Sequence, residues 1–254
     1  MGLLIFSMIR IDAILHPCEL AALRAANLGG TVCVVFDVLR ATSTIVTALA
    51  CGVKAVHPAE SIEEAQALKE RFPHALLGGE RRGQRIEGFD LGNSPLEYQS
   101  LAGREIITTT TNGTVALRAC DHAAKVFPGA LLNVDFLGDL LRVLEPENLL
   151  LVCAGSGRHF SLEDAIGAGA LVDRLRGNRV ELSDAARAAY SIYLSHRDAL
   201  EDVFRYTRNG RALAEIGKKA DIAWCARSSC FQVAPSMGKG IIRLDESAVA
   251  GKLY

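Results

Sequence analysis

Six consecutive residues, Thr31-Val32-Cys33-Val34-Val35-Phe36, are apolar or β-branched, and Asp37 follows them directly. A run of that length predicts a strand buried on both faces, a central strand of a largely parallel sheet. A charge cannot belong to that core, so Asp37 marks the C-terminal end of the strand. Arg40, Thr42, Ser43 and Thr44 come next, and residues 45–50 read as a helix. Open α/β sheets bind ligands at such strand-to-helix junctions, where the first N–H groups of the helix attract anions. A helix cap accounts for one polar residue here. It does not account for a carboxylate, a guanidinium and three hydroxyls together.

The same alternation continues along the chain. Strands are expected at residues 9–15, 53–56, 75–77, 104–109, 125–127 and 148–153, and helices at 18–26, 61–72, 114–120, 135–144 and 161–175. Ser61 and Glu64 suggest a capping box, and Pro95 suits a first helical position. The pattern predicts an α/β fold, a three-layer α/β/α sandwich around a largely parallel sheet. Beyond Gly177 the chain turns helix-rich, with helices expected at 184–196, 197–206 and 211–223 and a returning strand at 240–244. No linker or repeat stands out, so one domain over 1–254 is expected, with its core in 1–177 and a helical segment in 178–254 covering the sheet or its mouth.

Composition narrows the classes of function. Half of the 254 residues are hydrophobic, and 28 basic residues balance 29 acidic ones, with no basic block to meet nucleic acid. No apolar run approaches the ~18–20 residues that span a bilayer. The short run at residues 2–6 is a poor signal peptide and a candidate first strand. Seven cysteines, without a C-x-x-C pair, read as reduced core residues of a cytoplasmic protein. The six histidines are dispersed, which argues against zinc.

Four junctions share one character: an apolar strand stops and releases small, polar or charged residues. They are Asp37 to Thr42, Gly78-Gly79-Glu80-Arg81, Thr108 to Thr114, and Cys153-Ala154-Gly155-Ser156-Gly157. In a parallel sheet all four lie along one edge. Carboxylates at Asp37, Glu80, Glu163 and Asp164 suit a hard cation, and Arg40, Arg81 and Arg82 suit phosphate oxygens. Each has a plainer explanation. Threonine runs favour strands, Ser161 with Asp164 makes an N-cap, and Arg82 and Arg85 fit as solvated loop charges. Jointly, the four junctions point to a site for an anion and a metal. The aperiodic loop 86–95, with Phe89 and Leu91 among polar residues, fits a segment packed over that site. Familiar phosphate chemistries do not match. A P-loop is absent, Cys153 to Arg158 is one residue short of C-x5-R, and Leu39 stands where a haloacid dehalogenase-type site has its second Asp.

Five of these segments, in order, resemble the 2-phosphosulfolactate phosphatase (ComB-like) family. They are Asp37-Val38-Leu39-Arg40-Ala41-Thr42-Ser43-Thr44; Gly79-Glu80-Arg81; Gly88-Phe89-Asp90-Leu91-Gly92-Asn93-Ser94-Pro95; Thr109-Thr110-Thr111-Asn112-Gly113-Thr114; and Cys153-Ala154-Gly155 with Phe160-Ser161-Leu162-Glu163-Asp164. The resemblance implies an α/β/α sandwich and a Mg²⁺-dependent hydrolase converting 2-phospho-3-sulfolactate to 3-sulfolactate and phosphate, a step toward coenzyme M in methanogens. On that reading Asp37, Arg40 and Glu80 are catalytic candidates. Asp37, Glu80 and one of Glu163 and Asp164 are candidate Mg²⁺ ligands. Thr42, Ser43, Arg81, Asn93, Thr111, Asn112, Gly113, Thr114, Gly155 and Ser156 are candidate contacts to a small phosphorylated, sulfonated acid. Whether Asp37 attacks phosphorus or acts as a base stays open. A phosphatase for another small phosphorylated acid and a non-catalytic binding protein are the alternatives; the carboxylates argue against the second. A cytosolic homo-oligomer, without membrane or nucleic-acid partners, is the default expectation.

Overall fold

The apolar run forms β2 (Thr31–Phe36), buried along all but its first residue. The structure, a computed structural model, describes residues 8–177 and 179–245; the candidate strand at 2–6 lies outside them. Strand β2 pairs in parallel with β7 (Lys125–Gly129) on one side and β8 (Asn148–Cys153) on the other. β1 (Ile9–Ile14) and β9 (Val180–Leu182) continue that parallel block beyond β8. A second parallel block contains β4 (Leu76–Arg81), β6 (Glu105–Thr109) and β3 (Ala55–Ala59), with the two-residue β5 (Gln84–Arg85) antiparallel at its edge.

An antiparallel hairpin, β10 (Pro235–Gly238) and β11 (Ile241–Leu244), joins the blocks. It meets each at a single pair, Met237 with Val126 and Ile242 with Val56. Among the described residues the order is β5-β4-β6-β3-β11-β10-β7-β2-β8-β1-β9. The sheet is therefore mostly parallel but not one flat parallel edge. β10, bounded by Pro235 and Gly238, carries no apolar run that foretells it.

Helices cover both faces. Cys33 and Val35 of β2 pack with Ile45, Leu49 and Leu117, while Val32, Val34 and Phe36 pack with Leu137, Leu141 and Leu171. The first set belongs to α2 (Ala41–Ala50) and α4 (Gly113–Ala119), the second to α5 (Val134–Leu144) and α6 (Leu162–Leu175). Helix α2 packs against β3 and β7, and α4 against β2 and β3. These two helices lie between the blocks and bring the ends of β2 and β6 together. Helix α2 begins at Ala41, four residues before the expected start, and is buried through Leu49. Tertiary burial overrides the weak helix propensity of its threonines. Their hydroxyls find backbone acceptors, Thr44 on Asn93 O at 3.0 Å and Thr47 on Ser43 O at 2.8 Å.

The C-terminal region is helical as expected. Helix α7 (Asp184–His196) packs on α6, and α8 (Leu200–Tyr206) follows. The single helix expected at 211–223 is two, α9 (Arg208–Glu215) and α10 (Lys219–Cys225), separated around Gly217, whose φ is 77°. The remaining helices are α1 (Leu20–Ala25) and α3 (Ile62–Arg71). Among the described residues no helix is long and apolar enough to cross a membrane.

Candidate active site

Side chains tie the four junctions to one another. Where β2 ends, the Asp37 N–H donates to Thr42 Oγ1 at 3.0 Å, and Asp37 Oδ1 accepts the Ala41 N–H at 3.3 Å. Asp164, in the first turn of α6, accepts the Val38 N–H at 2.8 Å and the Gly155 N–H at 3.0 Å, fastening the β2 exit to the β8 exit. Asn112 donates to Ala154 O at 2.9 Å and Gly157 O at 2.8 Å and accepts the Gly157 N–H at 2.9 Å, fastening the β6 exit to the same loop. Glu80, inside β4, accepts the Thr111 N–H at 2.8 Å and the Gly83 N–H at 2.7 Å. Helix α4 comes so close to β2 that a Cβ on Gly113 would lie 2.5 Å from Ala41 Cβ and 2.7 Å from Asp37 Oδ2. Only glycine permits that approach.

Asp37, Glu80, Asn112 and Gly155, one from each junction, line a single cavity of about 320 Å³. The ends meet through this cross-linking and the wedged α2 and α4, across two blocks rather than along one straight edge. Arg40, Asn93, Thr111 and Ser156 line the same cavity. Leu39 and, from α9 and the turn after it, Asn209, Ala212, Leu213 and Ile216 close another wall.

The other candidates stand outside the lining. Thr42 and Ser43 are fully buried in α2, and the Ser43 hydroxyl donates to Val38 O at 2.8 Å. They brace the Asp37 turn. Arg81 turns away, donating to Glu80 O at 2.7 Å and Thr109 Oγ1 at 3.1 Å. The buried Thr114 hydroxyl bonds the backbone of Thr110. Asp164 has both oxygens on backbone N–H groups, and Glu163 is buried with Oε1 lacking a partner.

Arg40 does not pair with Asp37. Its Nη1 donates to Asp221 Oδ2 of α10 at 2.6 Å, with 3% and 2% of the two side chains exposed, and its Nη2 donates to Gly83 O at 2.8 Å. Asp221 Oδ1 accepts from the Ser94 hydroxyl at 2.6 Å. The Asp37 carboxyl is accordingly pushed up to about 7, chiefly by burial. The Ala41 N–H and Arg40 oppose the shift, and the charges of Glu80 and Glu163 add to it. Burial and the charges of Asp37 and Glu163 hold Asp164 well above the usual carboxylate range, and burial also raises Glu163. The Cys153 thiol, fully buried, is raised by burial and by Asp164 and Glu163.

Sequence reasoning missed Asp221 and Asn209. The Asn209 amide donates to Leu39 O at 3.1 Å and its Oδ1 accepts from Ser156 Oγ at 2.9 Å. Arg40 and Asp221 are 181 residues apart, and nothing local to either announces the pair. The three-carboxylate metal set is not assembled: among the described residues no three His, Cys, Asp or Glu side chains gather closely enough to hold an ion. Asp37 and Glu80 remain as two carboxylates on the cavity lining, and among the described residues neither makes an ion pair.

The model of the 2-phosphosulpholactate phosphatase family matches residues 19–240. A protein of Thermotoga petrophila named probable 2-phosphosulfolactate phosphatase is 39% identical over 238 residues, 93% of this chain and 99% of that protein. Proteins of the same name from Carboxydothermus hydrogenoformans and Caldanaerobacter subterraneus are 39% and 40% identical, covering 89% and 84% of this chain and 92% and 90% of their own lengths. With matches of that length and identity, the chain belongs to the 2-phosphosulpholactate phosphatase family.

Proposed function

We propose that this chain is a Mg²⁺-dependent phosphatase hydrolysing 2-phospho-3-sulfolactate to 3-sulfolactate and inorganic phosphate. The family supports the monoester chemistry. The observation that carries the metal is the pair of buried carboxylates, Asp37 and Glu80, on the cavity lining. Buried Asp37 and Glu80 lie near each other's charge, while the nearest guanidinium, Arg40, is already neutralised by Asp221. A cavity that only bound anions would gain nothing from carboxylates. Mg²⁺ needs one or two carboxylates besides waters and substrate phosphate oxygens, and Asp37 and Glu80 suit it. Bound there, it would neutralise the phosphate dianion. Asp164 stands outside the cavity lining and joins Val38 to Gly155, so it is a fastener rather than a ligand in this reading.

The chain's own groups do the positioning. Arg40, fixed by Asp221 and Gly83 O, keeps N–H groups for a phosphoryl oxygen. Asn112 and Asp164 hold the β8 loop, setting the backbone around Gly155. The Asp37 carboxylate can take a proton from the attacking water while the phosphorus–oxygen bond to C2 of the sulfolactate breaks; the leaving oxygen takes a proton from solvent, to which Asp37 returns its own. The seven cysteines, all free thiols, support a reducing, cytoplasmic setting.

The test is phosphate release from a panel of monoesters, with Mg²⁺ and with EDTA, for wild type and Asp37→Asn. We expect release from 2-phospho-3-sulfolactate with Mg²⁺, none with EDTA, and turnover reduced by orders of magnitude in the variant. Equal release in EDTA would overturn the metal. Binding without release of phosphate from any monoester would make the chain a binding protein.

A further inference from the structure

Four charged side chains line the cavity: Asp37, Arg40, Glu80 and Arg82. Three are engaged within the protein. Glu80 has a backbone N–H on each oxygen, Arg40 holds Asp221 and Gly83 O, and Asp37 accepts the Ala41 N–H. Arg82 differs: among the described residues its guanidinium has no hydrogen bond or ion pair.

Its backbone is equally unusual. Arg82 and Gly83 are the central residues of the two-residue turn between β4 and β5, closed by the pair Arg81 and Gln84. Their φ values are 55° and 80°, the double left-handed conformation that suits Asn-Gly. A long cation is rarely selected for such a position by local preference. The turn is also anchored against swinging away. The Gly83 N–H is held by Glu80, its carbonyl by Arg40, and a Cβ on Gly83 would lie 3.1 Å from Ile216 Cδ1 of the opposite wall. An otherwise unpartnered guanidinium is thus carried to the cavity on a fixed support. It is exposed, whereas Asp37 is buried, so Arg82 lies at the rim.

We propose that Arg82 is the specificity-determining cation of this site, pairing with the sulfonate, one of the two acidic groups of the substrate that are not transferred, the carboxylate being the other. The inference rests on the proposed function for the identity of that group. The phosphoryl group belongs at the buried end, beside Asp37, Glu80 and Arg40. A sulfonate keeps a permanent single charge and three acceptor oxygens, which a guanidinium matches.

The test compares two monoesters that differ only in the sulfonate, 2-phospho-3-sulfolactate and 2-phospholactate, in wild type, R82Q and R82N. The second variant keeps a residue at ease in the left-handed turn, so that loss of charge is separated from loss of folding. The preference in kcat/KM for the sulfonated ester is expected to fall about ten- to a hundredfold, through its KM, in both variants, with partial rescue by R82K. A parallel arm needs no turnover: calorimetric binding of 3-sulfolactate against lactate, where the wild-type preference for 3-sulfolactate should vanish in R82Q and R82N. A preference that persists in both variants, or that wild type lacks in binding, overturns the proposal. Absence of turnover in wild type would overturn the proposed function instead, and the binding arm would still decide the role of Arg82.

Discussion

Removal of Asp221 offers the sharpest check on how the site is held together. Its carboxylate meets Arg40 at 2.6 Å, with 2% of its side chain exposed, and also accepts the Ser94 hydroxyl at 2.6 Å. Asp221→Ala leaves the Arg40 charge buried and uncompensated, which costs about 3–5 kcal/mol. Asp221→Asn keeps an acceptor for Ser94 and falls at the lower end. In a chain of this size about 2–4 °C of melting temperature goes with each kcal/mol, so the Asp221→Ala protein should melt roughly 6–20 °C below wild type. Melting curves supply the measurement, and phosphate release well below the lower melting point supplies the kinetics. The folded variant should lose kcat, because Arg40 is no longer fixed against Gly83. A third protein, Arg40→Met with Asp221→Leu, should recover much of the stability and none of the activity, since an apolar pair often replaces a buried ion pair at little cost. A melting point within about 2 °C of wild type for Asp221→Ala would refute the pair as a buried, stabilising contact.

Three further outcomes are expected. The folded chain keeps the Asp37 proton up to about pH 7, whereas the unfolded chain releases it near the ordinary aspartate value of 3.8, so the folded state binds more protons in between. Metal-free stability should therefore fall as pH rises across that window and level off above it, and the difference between wild type and Asp37→Asn should carry the effect; a difference that grows in favour of wild type with rising pH would contradict it. Gly113→Ala would set a methyl 2.5 Å from Ala41 Cβ and 2.7 Å from Asp37 Oδ2; such overpacking costs about 1–3 kcal/mol and should lower kcat by moving the carboxylate, so wild-type kinetics and melting would count against the close approach. Cys153→Ser should keep most of its turnover, because the thiol is fully buried, raised in pKa and outside the cavity lining; metal-independent wild-type turnover that vanishes in a normally folded variant would make the thiol the nucleophile.

Much of the architecture is legible because burial leaves a local trace. The apolar run 31–36 announces a central strand, Asp37 announces its end, and the run 148–153 announces the strand beside it. The polar junctions are legible for the same reason: Asp37, Glu80, Asn112 and Gly155 interrupt apolar pattern and do converge on one cavity. What each residue does there is not local. Thr42 and Ser43 read as ligand contacts until α2 is seen to be buried, where their hydroxyls must serve the backbone. Arg81 and Arg82 are neighbours of the same type, and only the left-handed turn sends one to the cavity while the other turns back to Thr109. Asp164 carries the charge of a metal ligand, yet it stands outside the cavity lining, where it fastens the β2 exit to the β8 exit. Asp221 and Asn209 lie in helices whose pattern announces only burial and solvent, and of the hairpin only β11 is legible, as the returning strand expected at 240–244, while β10 has too little apolar sequence to declare itself. Periodicity records which side of an element is buried, a property of a few consecutive residues. The partner of a buried charge depends on how elements far apart in the chain pack, so the partners of Arg40, Asp164 and Asn209 were decided by the tertiary structure alone.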